Sequence, residues 1–374
     1  MSITYSGDVA NTGLWTLFII LFKWKGSMYR KLWKETLFFL SIYESFAITY
    51  TYILPQEKYP NAQKFLQNVY VQCRRAYQTM PVTFVLGFYV SMVVTQWFRQ
   101  YSQLPWTDDI ALLVSAFIQG NSERAVLIRR AIMRYVNAAY ALAGRKLFLD
   151  FKGQFPTLQH IVKCGFLNEE ELTKLQAIKS SLDTYFVPLS WSLNLIYSAY
   201  RENLIDGDRL LDTLIDRIAA YRGQIGNLYI IDQVNPPLAY SQIAGIAVYG
   251  YLIGAMIGLQ KLEDASSGFF LVTFPPFETL IIIFYIGWYK IAENLLNPYG
   301  TTEYNFDIIY SLQRNLQVSY LIVDQLHGTH PPILEEALSI NFEINPTESL
   351  SESSISQKIP NDLIENEEIV GEIP

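Results

Sequence analysis

Charge is scarce in this sequence. Only 17% of its 374 residues are Asp, Glu, Lys or Arg, against about a quarter in ordinary soluble domains. The net charge of −7 is also local. From Asn341 onward eight carboxylates face one lysine, Lys358, and the rest of the chain is balanced at 27 acids and 27 bases. Two cysteines, Cys73 and Cys164, are too few for a disulfide framework or a cysteine zinc site. No glycine-rich phosphate loop follows a strand pattern and no serine sits in a nucleophile elbow, which removes the common nucleotide-dependent and hydrolytic enzymes. No enzymatic activity and no nucleic-acid partner are expected. The first residues lack the basic segment and small-residue cleavage site of a secretory leader, because Asp8 precedes the short apolar run Leu14 to Phe22. That run is too short to cross a bilayer and reads as an interfacial or buried helix.

Long apolar stretches are present instead, in a chain that is 51% apolar and 15% aromatic. Crossing a bilayer takes roughly 20 mostly apolar helical residues. Four stretches approach that length: Thr36 to Ile53, the charge-free run Ala76 to Phe98, Pro237 to Gln260, and Phe269 to Tyr289. The charge-free runs of 23 residues around the second and 28 around the third are hard to wet on any face. The expected fold class is therefore an all-α membrane protein with four transmembrane helices. Lys23, Lys25, Arg30, Lys31 and Lys34 precede the first span and Arg99 follows the second. This asymmetry places both termini and the middle of the chain in the cytoplasm.

Residues 100 to 235 read as a water-facing helical body. SERAVLIRRAIMRYVNAAYALAGR interleaves arginines with apolar residues at helical spacing. DGDRLLDTLIDRIAAYRG places Leu211, Leu214, Ile215 and Ile218 on one face and stops at Gly223. Four segments result: 1–235 with the first two spans and the body, 236–297 with the last two spans, 298–340 packing back on the body, and an acidic tail, 341–374. The tail is rich in Ser and Glu and is expected to be disordered; its serine cluster from Ser349 to Ser356 offers sites for phosphorylation.

Few residues stand out as chemistry. Glu44 and Glu278 lie inside candidate spans, where a carboxylate is costly and either functional or paired with protein. His327 and His330, in HGTH, precede two prolines and read as a loop, and His160 as an ordinary helix-surface or half-buried histidine. Met80, Phe84 and Phe88 recur every four residues, which puts them on one helical face. Such a stripe serves helix packing, lipid contact or, if copies surround an axis, an apolar ring around a pore.

The chain resembles the bestrophin family of chloride channels from Met1 to about residue 330. WKGSMYRKLW, MPVTFVLGFYVSMVVTQW, LPWTDD, RRAIMRYVN, FPTLQH with GFL, FVPLSWSLNL, PPLAYSQIAGIAVYGY and FYIGWYKIAENLLNPYG follow one another in the family's order. The resemblance implies a homopentamer around one axial pore in the plasma membrane, with chloride and other small anions as permeant ions. It assigns Met80, Phe84 and Phe88 to a hydrophobic neck and Ile218 to a lower constriction. It also implies a calcium clasp with backbone carbonyls of Ala10, Asn294 and Asn297. There, however, Thr302 and Asn305 stand where two aspartates are expected, so calcium activation should be weak or absent unless Glu303 or Asp307 substitutes. Gln154-Phe155-Pro156 stands where the family carries Arg-Phe-Pro. The alternatives to a conducting channel are a non-conducting regulatory or scaffold subunit and a coupled anion transporter.

Overall fold

The computed structural model describes residues 14–24, 26–49, 53, 59–180, 183–234, 236–260, 276–299 and 305–332. Ala10, Thr302, Glu303 and the tail lie outside this set. Every regular element among the described residues is helical. Through Gly328 the chain forms one compact unit with two hydrophobic cores.

The first core is a bundle of helices α2 (Met28–Ile48), α4 (Val82–Ser102), α12 (Leu238–Gly258) and α13 (Pro276–Leu295). Phe39 and Tyr43 of α2, Leu86 and Val93 of α4, Val248 and Ala255 of α12, and Ile282 and Ile286 of α13 meet in its interior. Each helix also carries large apolar side chains that point away from the bundle, among them Phe38, Ile246, Ile253, Phe277 and Phe284. An apolar surface on both the inside and the outside suits hydrocarbon surroundings. By length and composition α4 and α12 could each cross a membrane unaided. Their partners α2 and α13 bring charge near their ends, Arg30, Lys31 and Lys34 in the first and Lys290 and Glu293 in the second. The short helix α1 (Leu14–Phe22) exposes Trp15, Phe18, Ile19 and Phe22.

The helix expected to stop at Gly223 runs on to Gln233, and two boundaries in the bundle also differ from the sequence reading. The first span begins earlier, because the Ser27 hydroxyl accepts a hydrogen bond from the Arg30 N–H and starts α2 at Met28. The second apolar stretch is shared between two helices: its first residues end helix α3 (Pro60–Thr79), which has Pro60 in its first turn, where a missing N–H costs nothing. Helix α3 lies close along α12. A Cβ at Gly258 would come within 2.7 Å of the Arg74 backbone, and one at Gly254 within 3.2 Å of the Tyr77 Cβ, so these two glycines set the spacing of the pair.

The second core belongs to the body. It is built on α6 (Glu123–Leu147), capped by Ser122, whose hydroxyl accepts from the Ala125 N–H at 3.2 Å. The small residues Ala138, Ala139, Ala141, Ala143 and Gly144 are buried along it and let neighbours approach closely. Around it stand α5 (Asp108–Phe117), the short α7 (Leu149–Gln154) and α8 (Leu158–Lys163), α9 (Glu169–Ala177), α10 (Val187–Arg201), α11 (Asp208–Gln233) and α14 (Ile308–Tyr320). After α14 the chain continues in a π-helical turn over Leu321–Gln325.

Two buried polar side chains tie the body together. Arg129 is only 1% exposed; it donates from Nη1 to the carbonyls of Ile118 (3.0 Å) and Gly120 (2.9 Å), covering the C-terminal end of α5. Burial lowers the pKa of its guanidinium below the ordinary arginine value. Glu171 ties α9 to α6. Its carboxylate accepts two bonds from Arg134 at 2.6 Å each, one from the Tyr135 hydroxyl at 2.5 Å and one from the Asn168 N–H at 2.8 Å. The Asn168 side chain in turn accepts from the Glu171 N–H, completing a capping box. Burial alone would raise the Glu171 pKa, but these bonds and the nearby positive charge outweigh it and hold the carboxyl below its usual range. Burial, then the bond to Glu171, pushes the Tyr135 phenol up to about 12.

Helix α4 belongs to both cores. Val93 sits in the bundle interior, and one turn later Trp97 packs against the body core, its ring 4.9 Å from that of Phe306. The segment after α13 closes around this end of α4. The Tyr299 hydroxyl donates to the Gln100 carbonyl at 3.0 Å, and Phe306 also meets Tyr101 at 4.8 Å.

Candidate permeation pathway

The stripe Met80, Phe84, Phe88 straddles a break in the chain. Met80 follows the last residue of α3 and has φ −69° and ψ 121°. Pro81 disfavours helical backbone at the residue before it and has no N–H to continue the ladder, so the apolar run is cut there and α4 restarts at Val82. Met80 therefore does not share a helical face with the two phenylalanines. Its side chain lies against α12, where a Cβ at Gly250 would fall 2.8 Å from the Met80 Cε.

Phe84 and Phe88 do share a face. They are 68% and 67% exposed, whereas Val82, Leu86 and Val93 on the opposite face are buried. Their rings meet edge to face with centroids 4.9 Å apart. The same face runs on through Ser91, Thr95 and Arg99, all exposed. The steps of four, three, four and four residues keep the five side chains in line along α4. This continuation was readable in the sequence, since the same spacing extends the aromatic pair into hydroxyls and a cation. Hydroxyl and guanidinium groups on a lipid-facing stripe would be costly, so the face is suited to water or to another protein surface.

Ile218 does not take the role of a constriction. It is 1% exposed, enclosed in the body core with Leu214, Tyr221 and Ile225 on the buried face of α11. A side chain must border open space to narrow a passage, and this one borders only protein.

In the described part of the calcium region the polar side chains are engaged within the chain, whereas a calcium ion takes six to eight oxygens and is held tightly by carboxylates. The Asn294 side-chain oxygen already accepts from the Lys31 ammonium at 2.9 Å, which places a fixed cation at that shoulder. Asn297 accepts from the Tyr299 N–H at 3.3 Å. Asp307 caps α14 by accepting from the Tyr310 N–H at 2.9 Å, and Asn305 is buried. Among the described residues no group of three or more His, Cys, Asp or Glu side chains converges.

The remaining candidates are dispersed. Glu278 lies in the first turn of α13, where the helix dipole favours a carboxylate. Glu44 lies on α2 with one carboxylate oxygen buried and without a hydrogen-bond partner. The His327 Nδ1 lies 2.9 Å from the Ser115 carbonyl and 3.3 Å from the Ser115 hydroxyl. In the short second unit the His330 Nδ1 lies 2.9 Å from the Pro331 carbonyl. The His160 Nδ1 lies 2.8 Å from the Thr157 hydroxyl. Gln154 ends α7, and the carbonyls of the next two residues, Phe155 and Pro156, accept from Arg145 at 2.9 and 3.1 Å.

An apolar helix bundle continuous with a helical body, joined by a helix whose outer face carries aromatic, hydroxyl and basic groups, suits a helical membrane protein. Comparison with known proteins is consistent with this. A family profile described as "Bestrophin, RFP-TM, chloride channel" matches residues 1–325. The chain is 36% identical to Bestrophin-1 of Sus scrofa over 336 residues, 89% of this chain and 57% of the relative. It is 30% identical to Bestrophin homolog 13 of Caenorhabditis elegans, covering 96% of this chain and 87% of that one. The chain thus spans little more than half the length of its mammalian Bestrophin-1 relatives. Among solved structures, a point mutant of a bacterial bestrophin homolog from Klebsiella pneumoniae superposes with a TM-score of 0.55 at 15% identity, over 80% of this chain and all of that one. The chain belongs to the bestrophin family.

Proposed function

We propose that the protein is a passive chloride channel of the plasma membrane, formed by five copies of the chain around one axis with the exposed face of α4 turned inward. The observation that carries this reading is the line Phe84, Phe88, Ser91, Thr95, Arg99, exposed along a helix whose other face is fully packed. In that arrangement α2, α4, α12 and α13 are the four membrane crossings, and the body and both termini are cytoplasmic. Phe84 and Phe88 form the neck. Ring edges carry partial positive charge and attract an anion without the full charge that would hold it. Ser91 and Thr95 replace part of the hydration shell below the neck, and Arg99 raises the local anion concentration at its inner end. Met80 borders the entrance beside the start of α4, a helix end that no side chain caps and whose dipole favours anions. Gating in this reading does not depend on calcium.

The test is conduction by the purified full chain in planar bilayers. Chloride current is expected, with the permeability ratio of iodide to chloride altered by Phe84→Ala and by Phe88→Ala. An electrically silent protein, or currents indifferent to both changes, would overturn the assignment and favour a non-conducting subunit.

A further inference from the structure

Beyond conduction, the body contains an open cavity of about 470 Å³ at the end of α6, bordered by α7, α8 and the start of the segment before α10. This volume lies within the ~300–1,000 Å³ of small-molecule sites. We propose that it binds a small anion carrying more than one phosphate.

Three cations line it. Arg145 and Lys146 come from the last turn of α6 and Lys152 from α7. None of the three forms an ion pair with a described carboxylate, unlike Arg124, Arg130, Arg134 and Arg314 elsewhere in the body. Arg145 is also held in place. Its Nε donates to the Phe155 carbonyl and its Nη2 to the Pro156 carbonyl, which fixes the guanidinium and leaves its other N–H groups available. A pre-positioned planar donor of this kind suits phosphate oxygens.

The one carboxylate on the wall, Asp183, is directed to its own chain. One oxygen accepts from the Thr184 N–H at 2.9 Å and the other from the Tyr229 hydroxyl. The Asp183 carboxylate and the C-terminal dipole of α6, about half a charge, oppose an anion here but are outnumbered by the three cations. Leu142 and Leu158 supply an apolar wall that keeps water from one side and strengthens the electrostatic interaction. A lone chloride would fill only a small part of this space and could not reach cations on two separate helices, whereas several phosphates on one scaffold could.

The experiment is isothermal titration of the full-length protein in detergent with inositol hexakisphosphate, ATP and inorganic phosphate in turn. Binding is read as heat and needs no current, so its failure is separable from failure of the channel assignment. Hexakisphosphate or ATP should bind saturably at one site per chain, and inorganic phosphate more weakly. A stronger response to ATP would assign the apolar wall to a base, and a stronger response to hexakisphosphate would make charge the dominant feature. Lys146→Ala with Lys152→Ala should weaken binding by about tenfold or more, as for loss of charge-assisted contacts. The double arginine replacement should retain binding, and Lys174→Ala, an exposed lysine away from this cavity, should leave it unchanged. No saturable binding of either polyphosphate, or equal affinity in the double alanine variant, would overturn the proposal.

Discussion

Replacing Glu171 by alanine should loosen the body at one identifiable joint. The change removes a two-point ion pair with Arg134, whose side chains are 23% and 11% exposed, together with the Tyr135 bond and the reciprocal cap with Asn168. A charge-assisted pair of this partial burial contributes about 1.5–3 kcal/mol, and a lost cap costs about 1 kcal/mol. The sum is about 3 kcal/mol. For a unit of this size that lowers the melting temperature by roughly 4–5 °C, measured by intrinsic fluorescence of the detergent-solubilised protein. Glu169→Ala removes an exposed first-turn carboxylate whose described contact is a 3.4 Å bond from Gln159, and should shift melting far less. The acid limb provides a second reading. The folded pKa of Glu171 is lowered, so its contribution is complete above the unfolded carboxylate value and is lost as pH falls toward and through the folded one. The wild type should therefore lose stability below about pH 4.5 more steeply than the variant. Melting within about 1 °C of wild type, or parallel acid limbs, would refute the reasoning.

The remaining predictions concern packing and gating. Gly258→Ala places a methyl against the Arg74 backbone and should destabilise the α3–α12 pair by about 1–3 kcal/mol, read as a lower melting temperature. Gly223→Ala, which meets nothing within 4 Å in the interior of α11, should be neutral or stabilising by up to about 1 kcal/mol. Patch recordings with cytosolic calcium stepped through ~0.1–10 µM, the range of calcium sensors, should show unchanged current. Robust activation in that range would show that residues beyond Asn294, Asn297 and Asp307 complete a working site.

What was legible in the sequence followed from how directly a pattern specifies an environment. The four apolar stretches became four helices sharing one core because a run without charge permits few other placements. The break at Met80 was legible too, since Pro81 restricts the residue before it, but regular four-residue spacing concealed it. Ile218 shows a different limit. Periodicity grouped Leu211, Leu214 and Ile218 on one face of α11, as the structure does. A helical face says which residues act together and not whether they meet protein or a lumen. The pairing of Arg134 with Glu171, and of Lys31 with Asn294 across 263 residues, left no local signal, because each partner is contributed by a distant turn.

The shared helix α4 has a mechanical consequence. From Phe88, on the candidate neck, to Trp97, in the body core, is nine residues, about 13 Å of continuous helix at 1.5 Å per residue. No hinge residue intervenes, and Tyr299 and Phe306 grip the far end. A small rotation imposed on Trp97 by the segment after α13 would therefore reach the phenylalanine rings as a turn of the whole rod, so that a change in the body can be felt on the outer face of the bundle by torque alone.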